Sequence, residues 1–370
     1  MKILRLYIQH CGVFHQTLID FTHEGIAQDV LCIAGVNGSG KTTVIELIFN
    51  LIALLNPQLS LQDFSYDRLK ANILTRVEFS QLDIEIDNKI ISLVIGSAEK
   101  IQKTNSDKQV FIIESDLKPL ISQYENSVIK TPENEDESDI ILRVKEFKAN
   151  KDFSERVVDK KNSEIIQPLI DDIEKSLSIK NGQKDNKSLP SVYFFNAHDR
   201  EIRDIRYNSI PNEKLKYQLT HKYHPRNDDL KKTLVYYDYA YQEKFEQLKD
   251  WLNKYILVGK SIEKIDRPNF NVVIKTNQGS THGLELLSSG EESLLIIATQ
   301  LYLRARENAV FIIDEIDQSL HPEFQEKIIS TIKLLQKEKS CQVIVSSHSD
   351  IIWKNFKDKG LIDLTETVLL

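Results

Sequence analysis

The chain has 370 residues, 41% apolar and 28% charged, which is enough for one large domain with insertions or for two ordinary domains. Its net charge of −7 excludes a protein that is basic throughout, so any nucleic-acid contact must come from a local patch. Three widely spaced cysteines (Cys11, Cys32 and Cys341), no apolar run of membrane-spanning length and no signal-peptide pattern predict a soluble cytoplasmic protein with reduced thiols and no membrane partner.

The N-terminal part of the chain predicts strands around one helix. Residues 2–9 alternate like a strand and 17–21 are its predicted partner, whereas the continuous apolar run Val30–Ala34 is typical of a strand buried in a parallel sheet. The helix that follows is expected to end near Pro57. Further strands are predicted at 75–85, 89–95 and 109–114.

The middle of the chain carries weaker patterns. The acidic run 133–139 has no apolar periodicity and predicts a solvated loop. Residues 140–178 have mixed charge and are expected to be partly helical. The polar, turn-rich stretch 178–190 predicts a mobile linker, and a strand at 191–195 follows it.

The C-terminal part predicts helices that alternate with buried strands. Between 229 and 255, apolar residues recur three and four positions apart, which predicts one amphipathic helix roughly 40 Å long. Residues 270–286 are typical of a hairpin that turns at 277–279. Such alternation indicates a parallel sheet covered on both faces. The remaining predicted elements are a helix at about 291–306, a strand at 309–313, a helix at 322–337 and a strand at 342–346.

The loop after the first buried strand, GVNGSGKT, matches the phosphate-binding pattern G-x-x-x-x-G-K-[ST]. Its glycines let backbone N–H groups turn around phosphates, its lysine meets the β- and γ-phosphates, and its first threonine offers a hydroxyl to Mg²⁺. The next helix points its positive end at the same anion. An ordinary glycine turn is the alternative, against which the flanking strand and helix argue. The predicted ATP-binding residues are Gly35, Asn37, Gly38, Ser39, Gly40, Lys41, Thr42 and Thr43.

Two later strands end in polar side chains, at the edge where ligands bind in parallel sheets. In "VFIIDEID", Asp314 suits an outer-shell hold on Mg²⁺ and Glu315 suits a base that polarises the attacking water. In "VIVSSHSD", His348 is expected to contact and sense the γ-phosphate. Alone, each would be an ordinary strand end; together with the phosphate loop they predict a site for ATP hydrolysis.

A third segment, "ELLSSGEESLLIIATQL", places small residues at the start of a helix. Ser288, Ser289 and Gly290 precede Glu291 and Glu292, which alone describes a good helix N-cap with acids in the first turn. The free N–H groups of such a helix start also form an anion site. An enzyme that shares ATP across a dimer interface needs this second site, so we expect these residues to bind nucleotide too.

The ordered set "GVNGSGKT", "LSSGE", "FIIDE" and "SSH" resembles the motifs of ABC-type ATPases. "LSSGEESLL" and "VIVSSHS" are similar to the SMC-like and RecF-like branch, which includes stand-alone antiphage ATPases such as Septu PtuA and the OLD-family ATPase domain. The resemblance covers roughly residues 1–55 and 190–350. It implies a two-lobed α/β head with a mostly parallel core sheet, an antiparallel β subdomain and a helical insertion. The implied divisions are an N-terminal lobe at 1–98, an insertion with flexible linkers at 99–190, a helical lid or arm at 191–266 and a C-terminal lobe at 267–370.

The resemblance also implies a mechanism. Two copies would sandwich two ATP molecules, each between one chain's phosphate loop and the other chain's Ser289 and Gly290, and hydrolyse them slowly as a switch. Residues 316–320 would lie at the dimer seam, or form a plain loop. The glutamine that reaches the metal from between the lobes is not obvious; Gln81 is the candidate, and a solvent-facing strand residue is the alternative.

The chain departs from relatives with a long coiled coil, and it ends about twenty residues after His348, without the Toprim nuclease of the OLD family. The effector, a nuclease or toxin, is therefore expected to be a separate protein, with antiphage defence as the leading role. A RecF-like DNA clamp in repair is the first alternative. A transporter subunit fits the signature's form poorly, and a nucleotide kinase has no use for "LSSGE".

Residues 200–232 form a candidate DNA or RNA contact. They contain nine Lys or Arg residues but only five acids, with Tyr207, Tyr217 and Tyr223 interleaved. A solvated lid of mixed charge is the alternative. Just before it, His198 and Asp199 are too few for a metal site, so 196–202 is expected to be a turn near the nucleotide.

Overall fold

The computed structural model describes residues 1–53, 55–56, 73, 77–95, 108–113, 140–144, 156–157, 163–178, 189–202 and 216–367. Its elements up to residue 195 are β1 (Lys2–Cys11), β2 (Phe14–Asp20), β3 (Thr22–His23), β4 (Ile26–Ala27), β5 (Val30–Ala34), α1 (Lys41–Ala53), β6 (Phe79–Ile86), β7 (Lys89–Ile95), β8 (Lys108–Ile113), β9 (Ile140–Val144), β10 (Arg156–Val157), α2 (Ser163–Ser178) and β11 (Ser191–Phe195).

The C-terminal part continues with the elements that alternate around the central sheet. They are β12 (Thr220–Lys222), α3 (Leu230–Ala240), α4 (Gln242–Tyr255), β13 (Lys260–Asp266), β14 (Asn271–Thr276), β15 (Thr281–His282), α5 (Ser289–Arg304), β16 (Ala309–Ile313), α6 (Pro322–Lys339), β17 (Gln342–Ser347), α7 (Asp350–Lys354), β18 (Leu361–Asp363) and α8 (Leu364–Thr367).

The central sheet of the described chain has six strands in the order β12-β11-β16-β17-β5-β18, and all of its pairings are parallel. This confirms the parallel core sheet predicted from the alternating strands and helices. Ala34 lies opposite Ser347, and Ile313 lies opposite both Phe195 and Val345. The carboxyl ends of β5, β11, β16 and β17 therefore meet along one edge.

Both faces of the central sheet are buried, which explains the continuous apolar runs in its strands. On β16, Val310 and Ile312 pack into a core around α1, together with residues of β1 and β6. Phe311 and Ile313 pack into a second core formed with α3 to α6. The period of two along one strand thus joins two separate hydrophobic cores.

A second sheet covers the first core, and its order in the described residues is β10-β9-β8-β7-β6-β1-β2. The strands β2, β1, β6 and β7 pair antiparallel, in agreement with the antiparallel β subdomain that the resemblance implies, whereas β8 pairs parallel to both β7 and β9. The stretch 140–178, expected to be partly helical, contains α2 but also the strands β9 and β10, which extend this sheet. The sequence gives little sign of them because charged residues surround the short apolar run 140–142.

The prediction of one long helix over 229–255 is wrong. Tyr241 adopts φ −144° and ψ 57°, so the helix ends at Ala240 and α4 begins at Gln242. The ring of Tyr241 contacts the rings of Tyr236 and Tyr237, with centroid distances of 5.9 and 5.5 Å. Because the apolar spacing continues across the break, periodicity does not reveal it.

The other predicted elements agree with the structure to within a few residues. The hairpin of β14 and β15 turns at Gly279, which has φ 88°. The three cysteines are buried and form no disulfide bond. The edge strands β12 and β18 of the central sheet have no predicted counterpart, and neither do β3, β4 and β13. The runs 133–139 and 179–188 lie outside the described residues. Among the described helices, none is long and apolar enough to cross a bilayer.

Candidate active site

The loop between β5 and α1 requires glycine at two positions where the chain turns tightly. Gly35 and Gly40 have φ values of 152° and 93°, which other residues rarely adopt. A Cβ on Gly35 would lie 2.3 Å from the side-chain oxygen of Ser39, and a Cβ on Gly40 would lie 2.5 Å from the ring of Phe14. The loop is therefore packed tightly against its own residues and against β2.

Lys41, the first residue of α1, is only 5% exposed. Its Nζ donates hydrogen bonds to the carbonyl oxygens of Gly35 and Val36, at 2.7 and 3.0 Å. Burial lowers the pKa of Lys41, while the neighbouring carboxylates of Glu315 and Asp314 oppose this shift. The sheet edge thus places a buried ammonium group inside the phosphate loop, close to two acids.

Asp314 follows β16 and is 5% exposed. Its Oδ1 accepts a hydrogen bond of 2.6 Å from the hydroxyl of Ser346, at the end of β17. Burial raises the pKa of Asp314, whereas the bond from Ser346 and the positive charges of Arg200 and Lys41 lower it. The carboxylate is held in one orientation by the neighbouring strand.

Glu315 has φ 46°, a left-handed conformation that is rare for a residue with a side chain. Its backbone N–H donates to Ser346 Oγ at 2.7 Å, and its carbonyl accepts from Nη2 of Arg200 at 2.8 Å and from the backbone N–H of Gln318 at 2.9 Å. Strained conformations of this kind persist only where their surroundings determine them, and they cluster at functional sites. The roles of Ser346 and Arg200 were missed from sequence, because their contacts join distant strands.

His348 connects the lysine to the acids. Its Nδ1 lies 3.3 Å from Nζ of Lys41, and its Nε2 lies 3.2 Å from Oε1 of Glu315. Its backbone N–H donates to Oδ1 of Asp317 at 3.4 Å. The structure therefore brings together three of the predicted site residues, although Lys41 lies more than 270 positions before both Glu315 and His348.

A cavity of about 520 Å³ opens beside this contact chain. Trp353 of α7 contributes to its wall, and the indole N–H of Trp353 donates to the carbonyl oxygen of Ser347 at 3.1 Å. No sequence motif indicates this tryptophan. The residues that line the cavity are Gly35, Val36, Asn37, Glu315, His348 and Trp353.

The start of α5 has the predicted cap. The hydroxyl of Ser288 accepts from the backbone N–H of Glu291 at 3.3 Å, and the carboxylate of Glu291 accepts from the backbone N–H of Ser288 at 2.9 Å. A Cβ on Gly290 would lie 2.7 Å from the carbonyl oxygen of Ser319, so the glycine packs closely against the 316–320 loop. Ser288 and Ser289 are exposed, and none of these residues lines the cavity.

Gln81 does not face solvent, so that alternative is wrong. It is 2% exposed on β6, and its Nε2 donates to Oδ1 of Asp83 at 2.8 Å. It is not among the residues that line the cavity. Thr42, by contrast, is exposed at the start of α1, and Thr43 beside it is half-buried.

The described part of 200–232 only partly fits a surface for stacking bases. Tyr223 is 1% exposed, and the hydroxyl of Tyr217, another buried side chain, donates to the carbonyl oxygen of Pro190 at 2.8 Å. These two rings are therefore unavailable to nucleic acid. Lys222 and Arg226 are exposed, while Tyr207 lies outside the described residues.

Comparison with known proteins gives a family for the whole site. The family described as AAA ATPase domain matches residues 1–353, so the chain belongs to it. This confirms the P-loop ATPase indicated by the motifs. No curated protein matches the chain.

Several solved structures are similar to the chain at low sequence identity. The SMC head domain from Thermotoga maritima is 14% identical with a TM-score of 0.38, covering 96% of this chain and 92% of that one. The SmcHead bound to the C-winged helix domain of ScpA is 15% identical with a TM-score of 0.48, covering 96% and 92%. A Smc head domain from Pyrococcus furiosus, bound to the C-terminal domain of ScpA, is 13% identical with a TM-score of 0.39, covering 96% and 91%.

The hydroxyl of Ser346 should contribute measurably to stability. Replacing Ser346 with Ala removes the buried acceptor of the Glu315 N–H and a donor to Asp314, so we expect the free energy of unfolding to fall by about 1–3 kcal/mol. Urea unfolding measures this change. The matched control is Ser330→Ala on α6, where an exposed hydroxyl bonds to the carbonyl of Glu326 and the expected change is within about 0.5 kcal/mol. Equal losses in both variants would contradict a special role for Ser346.

Proposed function

We propose that this chain binds Mg-ATP at the carboxyl edge of its central sheet, dimerises on it and hydrolyses it as a conformational switch. The observation that carries the proposal is the contact chain Lys41–His348–Glu315, with distances of 3.3 and 3.2 Å between side chains. It joins the phosphate loop, the end of β16 and the end of β17 beside one cavity. A lysine, a histidine and a carboxylate at such an edge suit binding and hydrolysis of a triphosphate.

The phosphate loop holds the nucleotide. Its glycine turns direct backbone N–H groups at the phosphates, and α1 adds the positive end of its dipole. The ammonium of Lys41 exchanges the carbonyl oxygens of Gly35 and Val36 for phosphate oxygens. Because Lys41 is buried, this charge acts in surroundings where electrostatic attraction is strong.

The described residues contain no group of three His, Cys, Asp or Glu side chains that could hold a metal ion alone. Mg²⁺ needs no such group, because it binds through one or two protein groups together with phosphate oxygens and water. Thr42 and Asp314 would hold it here, and it neutralises charge on the phosphates when bound. Gln81 stays a predicted third ligand, and reaching the metal requires its hydrogen bond to Asp83 to break.

Glu315 acts as the base that orients the attacking water, and His348 contacts the γ-phosphate. The left-handed backbone of Glu315 directs its carboxylate toward Nε2 of His348, on the wall of the cavity. A general base must lie within hydrogen-bond reach of the proton that it removes. Both side chains line the same cavity as the phosphate loop, which supports this assignment.

The start of α5 supports a homodimer with shared ATP sites. Ser288 and Ser289 are exposed there, while Gly290 is braced from behind by Ser319. We assign the first-turn backbone N–H groups that the Ser288 cap does not use to the phosphates held by a second copy. The 316–320 loop would then lie at the seam between the two copies.

The biological role that we favour is regulation of a separate effector, a nuclease or toxin, in cytoplasmic antiphage defence. The burial of Tyr217 and Tyr223 weakens the reading of 200–232 as a base-stacking surface. The alternative, a RecF- or SMC-like DNA-binding ATPase in repair, keeps support from exposed Lys216, Lys222 and Arg226.

Replacing Lys41 with Ala should weaken ATP binding. Loss of a charge-assisted hydrogen bond costs about 1.5–3 kcal/mol, which corresponds to a Kd about 10- to 100-fold higher. Titration calorimetry with Mg-ATP measures the change, and circular dichroism verifies the fold. Lys333→Ala, which removes an exposed lysine of α6, is the matched control and should bind as the wild type does. An unchanged affinity for Lys41→Ala would refute the proposed phosphate site.

Replacing Glu315 with Gln should trap an ATP-bound dimer, because the base is lost while the binding groups remain. Light scattering at saturating Mg-ATP should give twice the mass of one chain. Adding Ser289→Arg to the same variant should restore the monomer without abolishing ATP binding. Glu285→Gln, at an exposed acid just before α5, is the control and should form no trapped dimer. A monomeric Glu315→Gln protein would contradict the shared site.

The partner can be identified from the chain in its own setting. We expect that the tagged protein, expressed with its native flanking genes, co-purifies with a nuclease or toxin identified by mass spectrometry. DNA that comes along only at low salt, with no protein effector, would instead favour the repair clamp, because phosphate contacts weaken steeply as salt rises.

A further inference from the structure

The segment 196–202, here called the connecting segment, follows β11 and passes the end of β16. It begins with a short turn in which Oδ1 of Asn196 accepts from the backbone N–H of His198 at 3.2 Å. At its far end, the backbone N–H of Ile202 donates to Oε2 of Glu292 on α5, at 3.4 Å. The connecting segment is thus fixed to the central sheet at one end and to the first turn of α5 at the other.

Arg200 is the residue of the connecting segment that packs against Glu315 at the carboxyl edge of the central sheet. It is 6% exposed, and its Nη2 donates to the carbonyl oxygen of Glu315 at 2.8 Å and to Oε1 of Gln318 at 3.4 Å. Burial lowers the pKa of Arg200 to about 10, against the opposing charges of Asp314 and Glu315, so the side chain is a cation at neutral pH.

The other two nitrogens of this guanidinium are less well placed. Nε and Nη1 of Arg200 are buried and have no hydrogen-bond partner among the described residues. Buried N–H groups without partners cost free energy, so stability alone does not explain an arginine here. What the side chain does provide is a fixed charge and a bond to the strained residue of the site.

We propose that Arg200 is a positioning residue for hydrolysis, which holds the turn at Glu315 in its left-handed conformation and ties that turn to the 316–320 loop. The inference rests on the proposed role of Glu315 as the base. Ser346 accepts from the backbone N–H of Glu315 and Arg200 donates to its carbonyl oxygen, so the two side chains hold the two peptide groups that flank this residue. A group that positions another must itself be fixed, and the two attachments of the connecting segment hold Arg200 in place.

The chain offers a matched control at the other end of the same two strands. Arg306 precedes β16, and its Nη2 donates to the hydroxyl of Ser191 at the start of β11. Its guanidinium lies 5.7 Å from the ring centroid of Tyr217, and its Nε is also buried without a partner among the described residues. Arg306 therefore matches Arg200 in chemistry and in the strands that it joins, but it lies at the edge away from the cavity.

The test compares Arg200→Gln, Arg200→Lys and Arg306→Gln with the wild type. Steady-state ATP hydrolysis gives kcat and KM, calorimetry gives the Kd of a non-hydrolysable ATP analogue, and thermal melting fixes an assay temperature at which all variants are folded. Since small misplacements of a reacting group can cost about 100-fold in rate, we expect kcat of Arg200→Gln to fall about 10- to 100-fold. The Kd should change by less than about threefold, because Arg200 is not among the residues that line the cavity.

Arg200→Lys should fall between the wild type and Arg200→Gln, because an ammonium keeps the charge but not the fork of donors. Arg306→Gln should keep its kcat within about twofold of the wild type even where its melting temperature drops. The proposal is overturned if Arg200→Gln keeps its kcat, if its Kd rises in step with the loss of kcat, or if Arg306→Gln loses as much activity. A wild type that binds ATP but never hydrolyses it would instead refute the proposed function.

Discussion

The parallel register of β5, β11, β16 and β17 is the constraint on which the candidate site depends. Parallel strands end at the same edge, so four chain segments far apart in sequence deliver their next residues to one place. Because the two faces of these strands pack in separate hydrophobic cores, a slip by one residue would move every side chain into the opposite core, whose neighbours it does not fit. The hydrophobic cores therefore fix the positions of the charged residues at this edge, although those residues contribute little to either core.

The price of gathering charges at a buried edge is visible in their pKa values. Burial shifts the pKa of Asp314 upward and those of Lys41 and Arg200 downward, each toward the neutral form. In every case opposite charges nearby oppose the shift in pKa that burial causes, although the neighbouring carboxylate of Glu315 adds to the shift of Asp314. Removing one member leaves the others without compensation, which is why single substitutions here are expected to affect the whole site.

Motifs and periodicity predicted the parallel sheet, the phosphate loop and the acidic strand end, because each depends on neighbours within about ten residues. They failed where tertiary contacts decide. The break at Tyr241 leaves the apolar spacing intact, and β9 is a short apolar run among charged residues. Arg200 was counted among the basic residues of a surface segment, since nothing local distinguishes it from exposed arginines. Only the folded chain places it beneath Glu315.

The glycine at position 290, at the start of α5, is required by packing within one chain, in addition to its proposed role between two chains. Any side chain at Gly290 would strike the carbonyl oxygen of Ser319, four residues beyond Glu315. Three elements consequently contact one another in pairs. Gly290 of α5 packs against the 316–320 loop, Gln318 of that loop bonds to the connecting segment, and Ile202 of the connecting segment bonds to Glu292 of α5. Packed elements of this kind transmit small displacements because they resist compression. In the proposed dimer, a phosphate that drew the start of α5 toward it would therefore also move the supports of Glu315, so the proposed hydrolysis would depend on the second copy.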